Sequence, residues 1–167
     1  GMMSKHGGGT SAYLGNIRPR GSFIATGGKA DGPVHYARLY DTVVDVCKQS
    51  EARRGACAVY LPIEHDDIME FLDIGSEGNP IQNLQYGVTI GDQWLSEMKA
   101  GDPVKRKVWA KVIQRRSEFG YPYLLFRDNA NKNTPYSDLG YEITASNLCS
   151  EIMLPTDADH SFVCCIG

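Results

Sequence analysis

The sequence has no long apolar run. Its longest unbroken apolar stretch is Ala56 to Ile63, well short of the ~20 residues a membrane-spanning helix needs, so no such span is expected. No apolar segment follows Gly1-Met2-Met3-Ser4-Lys5-His6, and no secretory signal is expected there. Gly1 ahead of Met2 reads as a scar of tag removal, so residues 1–3 are set aside and 4–167 treated as one domain. An excess of positive charge is also missing. Among 167 residues, 20 acids face 17 bases, for a net charge of −3, which argues against a general nucleic-acid binder. Cysteine is scarce and unpaired in pattern. The five, Cys47, Cys57, Cys149, Cys164 and Cys165, include no CxxC and no second Cys/His pair at zinc spacing. A disulfide framework and a structural zinc site are therefore not expected, and a reducing cytoplasmic setting is. The spacings of a dinucleotide fingerprint and of a P-loop are absent too.

What is present alternates between two periods. Residues 4–34 are glycine-rich and read as loop, with a short strand possible at Ser22–Ala25. From His35 to Gln49 the apolar positions Leu39, Val43, Val46 and Cys47 recur at helical steps. Ala56 to Leu61, closed by Pro62, is the compact apolar run of a buried strand. Asp66 or Asp67 can cap a helix running to Leu72. Leu84 to Ile90 reads as a strand, and Gly91-Asp92 opens a helix through Met98. Pro103 opens another that Gly120 stops. Tyr121 to Phe126 is a strand, followed by a turn-rich stretch from Asp128 to Asn133. Tyr141–Ile143 and His160–Cys165 are the last strand candidates. No tight hairpin joins two strands before residue 126, which predicts parallel β/α units in an α/β layer or barrel. The sequence stops inside an apolar run at Cys164-Cys165-Ile166-Gly167, a pattern expected of a truncated segment.

Several clusters could carry chemistry. Glu64-His65-Asp66-Asp67 with Glu70 offers metal-ligand types, but His65 and Glu70 do not share a helical face. Acids at the positive end of a helix are the simpler account. The bases Lys105, Arg106, Lys107, Lys111, Arg115 and Arg116 could bind phosphate, although their spacing also suits a solvated helix face. The loop Lys48 to Gly55 presents the Gln49 amide and the Arg53 and Arg54 guanidiniums at a sheet edge, where such forks suit phosphates and base edges. The sharpest cluster is Asn147-Leu148-Cys149-Ser150-Glu151. In an extended segment Asn147, Cys149 and Glu151 would share one face. That face would present an orienting amide, a nucleophilic or radical-carrying thiol and a carboxylate base.

The run from Ser146 to Pro155 resembles the active-site loop of the large (alpha) subunit of class I ribonucleotide reductase. The likeness extends through the glycine-rich stretch Ser4–Gly9, the segment Gly15–Gly21, the loop Lys48–Gly55, Tyr60-Leu61-Pro62 with His65, and Tyr121–Asn129. It implies a fold of about half of a ten-stranded α/β barrel, with a finger loop carrying a cysteine into its centre. It implies radical reduction of ribonucleotides, with Cys149 as the thiyl site, Glu151 as base on the 3′ hydroxyl and Asn147 as partner of the substrate hydroxyls. Gln49 and Arg53 would relay effector identity, and Cys164 would be one member of the reducing pair, with Cys165 an extra thiol beside it. The implied partners are nucleoside triphosphate effectors, a separate metal-containing radical-generating subunit, a thioredoxin- or glutaredoxin-type reductant and a second copy in a homodimer. No cofactor is expected on the chain itself. A sibling class uses adenosylcobalamin and usually has proline before the cysteine; Leu148 stands there in this sequence. The resemblance also implies that this segment does not turn over alone. The alternative expectation is a non-catalytic nucleotide-binding or assembly half of a split reductase.

Overall fold

The computed structural model describes residues 2–47, 55–132 and 134–164. In chain order these form α1 (Met2–Lys5), β1 (Gly9–Tyr13), α2 (Pro33–Val46), β2 (Ala56–Pro62), α3 (Ile68–Phe71), β3 (Leu84–Ile90), α4 (Asp92–Ala100), α5 (Pro103–Phe119), β4 (Tyr123–Phe126) and α6 (Arg127–Lys132), then a 3-10 turn at Ser137–Leu139. The strands make one parallel sheet in the order β1-β2-β3-β4. Helical crossovers lie between them, as parallel pairing requires.

Alternation along the strands divides the sheet into two faces. Cys57, Val59 and Leu61 of β2 join Leu84, Tyr86, Val88 and Ile90 of β3 in the main core, against residues of α2 to α5. Ala58 and Tyr60 point the other way and pack with Ala145 and Leu148. Both faces of β2 are thus covered, and Ala58, Val59, Tyr60 and Leu61 are all fully buried. That double burial is why β2 is an unbroken apolar run.

The helix ends follow local chemistry. Asp102 caps α5, accepting hydrogen bonds from the backbone N–H of Val104 (2.9 Å) and Lys105 (3.0 Å), with Pro103 in the first helical position. Gly120 ends it at φ 76°, a conformation that favours glycine. Most of the bases on α5 are engaged within the chain. Lys105 pairs with Glu97 and Asp102, Lys111 and Arg115 both reach Asp73 beyond α3, and the Arg106 Nε donates to the Met98 carbonyl. The basic stretch is therefore mainly a tie between elements.

Several expectations are corrected. The glycine-rich segment contains β1, which the sequence hid because an edge strand reading Gly-Thr-Ser-Ala-Tyr is only half-buried and lacks an apolar alternation. Ser22–Ala25 contributes only an isolated bridge between Phe23 and Lys29. The turn-rich stretch after Phe126 is largely α6. Tyr141–Ile143 is not a strand, because the backbone of Ile143 bonds to the Asn131 side chain instead of a ladder. Residues 160–164 are not a strand either. Asp157 takes the N–H groups of Asp159 and His160 on its carboxylate, each at 2.8 Å, and turns the chain. Asp67 starts α3 without capping it through its side chain.

The Asp73 tie predicts a pH dependence. Burial pushes its carboxyl up, but the hydrogen bonds and charges of Lys111 and Arg115 outweigh burial and hold it below its ordinary value. A folded pKa below the unfolded one adds stability above about pH 4 that is lost as pH falls. Asp73→Asn should therefore cost about 1 kcal/mol or less at neutral pH, as suits a half-exposed pair. It should also flatten the fall in Tm between about pH 5 and pH 3. An unchanged Tm profile in that variant would contradict the tie.

Candidate active site

The inner face of the sheet is built on one row of residues. Strand register aligns Tyr13 with Tyr60, Tyr60 with Gly87, and Gly87 with Tyr123. Three tyrosines thus share a row in which one place is vacant. A Cβ on Gly87 would lie 2.5 Å from the Tyr60 ring and 3.2 Å from the Tyr123 Cβ, so the glycine makes room for the Tyr60 ring. Buried in the sheet centre, Tyr60 donates its hydroxyl to the backbone carbonyl of Asn147 at 2.7 Å. Burial pushes the Tyr60 phenol above its ordinary value, against an opposing pull from the Ser150 and Ser146 hydroxyls. Burial first, then Tyr121, pushes Tyr123 up to about 12. Both remain protonated at neutral pH and serve as donors.

The segment over this floor is anchored at its start. The Asn131 side chain on α6 accepts from the Ile143 N–H (2.8 Å) and donates to the Ile143 carbonyl (3.0 Å). Ala145 and Leu148 then pack down onto Ala58 and Tyr60. Leu148 also sits against Gly9, where any Cβ would collide with its side chain. From Asn147 the chain turns. The Ser150 N–H reaches the Asn147 carbonyl at 3.2 Å, and Ser150 lies at φ 65°. The Asn147 side chain, only 7% exposed, accepts on Oδ1 from the N–H groups of Glu151 and Ile152, each at 3.1 Å. The Ser146 hydroxyl closes the base of the turn on the Ile152 carbonyl at 2.7 Å.

This geometry corrects the extended reading of 147–151. Asn147, Cys149 and Glu151 do not share a strand face; they belong to one tight turn because the Asn147 amide competes successfully for backbone partners. The turn still joins two of the expected groups. Asn147 donates from Nδ2 to Glu151 Oε1 at 2.8 Å, and the Cys164 thiol reaches the same oxygen at 3.7 Å. Cys149 is exposed at the tip. Cys57, by contrast, is buried in β2 and its thiol is pushed up to about 11 by burial, which makes it unreactive. The site therefore holds an accessible thiol, a carboxylate oriented by an amide, and a second thiol in contact with that carboxylate. Gln49, Arg53 and Cys165 lie outside the described residues. Among the described residues no group of three or more His, Cys, Asp or Glu side chains is placed to hold a metal ion.

A cavity of about 210 Å³ lies under the loop between β1 and α2 and is lined in part by Arg18, Lys29, Asp31 and Tyr36. Two cations against one acid give it a positive balance. Sequence reasoning gave no role to Tyr60, Gly87, Tyr123 or Asn131, and Tyr60 and Tyr123 entered only within stretches of the family likeness. The one available signal was Tyr60, a polar-tipped side chain inside a run where aliphatic residues would suffice.

A family model described as the ribonucleotide reductase barrel domain matches residues 1–105 and 103–167. The chain is similar to a putative ribonucleoside-diphosphate reductase large subunit of Frog virus 3, with 30% identity over 99% of this chain and 32% of that protein. It is 33% identical to a vitamin B12-dependent ribonucleoside-diphosphate reductase of Mycobacterium tuberculosis, over 91% of this chain and 24% of that protein. Among solved structures, the Actinobacillus ureae class Id ribonucleotide reductase alpha subunit matches with a TM-score of 0.90 and 57% identity, over 98% of this chain and 30% of that one. The chain thus spans between 24% and 32% of the length of these three relatives.

The floor and the turn should respond together to substitution. Tyr60→Phe removes the shorter of the two hydrogen bonds to the buried Asn147 carbonyl, leaving that from the Ser150 N–H, and should cost about 0.5–1.5 kcal/mol in denaturant unfolding. Gly87→Ala crowds the same ring and should cost about 1–3 kcal/mol. Combined, the two should cost clearly less than their sum, because both act through Tyr60. Full additivity would contradict the shared mechanism.

Proposed function

The chain belongs to the barrel-domain family of ribonucleotide reductase, and we propose that it provides the finger loop and the first effector loop of a large subunit that reduces ribonucleotides to deoxyribonucleotides. The observation that carries this reading is the turn at 147–151, which exposes Cys149 at its tip while Asn147 fixes the carboxylate of Glu151. In this reading Cys149, once oxidised to a thiyl radical, takes the hydrogen from C3′ of the ribose and becomes a thiol. Glu151 accepts the proton of the 3′ hydroxyl, and Asn147 orients the hydroxyls. Cys164 acts as one member of a pair of thiols that together give two electrons to C2′ and become a disulfide. The 2′ hydroxyl leaves as water, Cys149 returns the hydrogen to C3′, and a thioredoxin- or glutaredoxin-type reductant restores the pair. The contact of Cys164 with Glu151 supports placing acid-base and redox chemistry side by side.

The radical comes from a separate metal-containing subunit. Leu148 before the cysteine and the 57% identity to a class Id alpha subunit support this over adenosylcobalamin, although a relative named as B12-dependent is also similar. The cavity carrying Arg18 and Lys29 takes a nucleoside triphosphate effector, its cations facing the phosphates. Gln49 and Arg53 relay effector identity to the substrate base. The setting is the cytoplasm, and no helix among the described residues is long and apolar enough to cross a membrane.

The reading includes a homodimer. Tyr36, Leu39, Tyr40 and Val43 on α2 are all exposed and recur at steps of three, one and three, which forms a single apolar stripe. Light scattering at micromolar concentration should give a dimer, and Leu39→Glu with Val43→Glu should give a monomer. A monomeric unsubstituted chain would contradict the dimer.

A chimera tests the chemistry. This chain replaces the matching 30% of the Actinobacillus ureae alpha subunit, assayed with the radical source and reductant that serve the native subunit. Deoxynucleotide formation is expected. Cys149→Ser should abolish it, and Glu151→Gln should slow it by about 10²-fold or more. A folded chimera that binds nucleotide but never turns over would overturn the catalytic reading in favour of a nucleotide-binding assembly segment.

A further inference from the structure

Three side chains of the cluster after β2 reach another loop, while Glu64 pairs with Arg127 of α6. His65 is almost fully buried, its side chain 6% exposed. Its Nδ1 accepts the Asp67 backbone N–H at 3.1 Å, which leaves Nε2 as the donor to the Ile17 carbonyl at 2.9 Å. Asp67 points its carboxylate away from its own helix and accepts the backbone N–H of Arg20 at 2.8 Å. A Cβ on Gly32 would lie 2.7 Å from that same carboxylate oxygen, so the far end of the loop closes against it. Glu70 takes the Arg20 guanidinium on both oxygens, at 3.1 and 2.6 Å. Residues 65, 67 and 70 thus grip residues 17, 20 and 32 of the glycine-rich loop.

That loop builds the cationic cavity. Ile17 and Arg18 line it on one side and Lys29, Ala30 and Asp31 on the other. Within the loop, backbone bonds join Gly21 to Ala30 and Ser22 to Ala30, each at 2.8 Å. These fold it on itself but do not attach it to the sheet. Attachment comes from Leu14, whose N–H bonds to the Tyr60 carbonyl at 2.9 Å, and from the three side chains after β2. The same short segment of chain therefore carries Tyr60, which holds the Asn147 turn, and His65, Asp67 and Glu70, which hold the rim of the cavity.

We infer that His65, Asp67 and Glu70 are positioning residues that hold the loop 15–32 in its nucleotide-binding shape and connect it mechanically to the end of β2. This rests on the reading of that cavity as a nucleoside triphosphate site. None of the three is among the residues that line the cavity. They act through Ile17, Arg20 and Gly32, so their loss changes how tightly effector is held and leaves the chemistry at saturating effector in place.

The test uses the chimeric subunit and measures the half-saturating concentration of each of ATP and the four deoxynucleoside triphosphates, together with kcat at saturation. His65→Ala and Asp67→Ala should raise the half-saturating concentration about tenfold, the equivalent of one hydrogen bond of about 1.4 kcal/mol. Glu70→Gln, at a half-exposed position that tolerates change, should raise it about threefold with the melting temperature unaltered, as for loss of an exposed ion pair. His65→Gln and Asp67→Asn keep a donor and an acceptor and should recover most of the loss. In every variant kcat at saturation should stay within about twofold. Unchanged effector constants in Asp67→Ala and Glu70→Gln would overturn the inference, as would a loss of kcat with no change in effector constant. Arg18→Ala and Lys29→Ala separate the two claims. If they weaken binding and the His65, Asp67 and Glu70 variants do not, the positioning role alone is wrong. If they leave binding intact, the cavity is not the effector site and the positioning role falls with it.

Discussion

The hydroxyl of Tyr60 sits in the buried centre of the sheet and donates to the carbonyl of Asn147, 2.7 Å away. A buried donor without a partner is costly, so this bond ties the position of the turn to the position of the sheet. The surrounding features make that bond geometrically available. Gly87 removes the Cβ that would block the ring. Ala58 keeps the adjoining floor low, and Gly9 leaves space for Leu148. Asn131 fixes where the crossing segment begins. The small residues and the polar ones thus solve the same problem from opposite sides: room on the floor, and partners for the backbone above it.

The two faces of the sheet divide the labour. Aliphatic and aromatic residues under the helices supply the apolar burial that stabilises the fold. The opposite face gives up some of that burial to hold tyrosines, an amide and a turn. Asn147 is the hinge between structure and chemistry. Its side-chain oxygen stops two backbone N–H groups from being left unpaired, and its side-chain nitrogen orients Glu151. A residue expected to meet substrate hydroxyls is therefore also the residue that shapes the loop. Its substitution by Asp would keep the acceptor and lose the donor to Glu151, and so would separate those two roles.

Much of the layout was legible in the sequence. The apolar run of β2, the alternation of β3, the proline and glycine that bracket α5 and the alternation of helix with strand all express local rules that packing reinforces. β1 was not legible, because an edge strand with one neighbour needs no apolar period. The residues Asn147, Cys149 and Glu151 were legible as a chemical set and as a family resemblance, but their arrangement was misread. A period of two assumes that the backbone pairs with other backbone, whereas here the Asn147 side chain takes those bonds. Tyr60 was given no role for a related reason: its partner lies 87 residues away, and no local pattern encodes a contact of that range. Asp67 and Glu70 do stand at the start of α3, as the sequence suggested, but their partners, the backbone and the guanidinium of a distant loop, had no local signal.

The central claim is that the turn carrying Cys149 is a built object, held by the Asn147 side chain on a tyrosine floor. Hydrogen exchange resolved at single amides measures this most directly. The Glu151 and Ile152 amides should exchange slowly at neutral pH, as groups bonded to a buried oxygen do, and both should speed up together when Tyr60 is changed to Phe. Rates for those two amides as fast as in an unstructured peptide, or rates indifferent to Tyr60, would contradict the account.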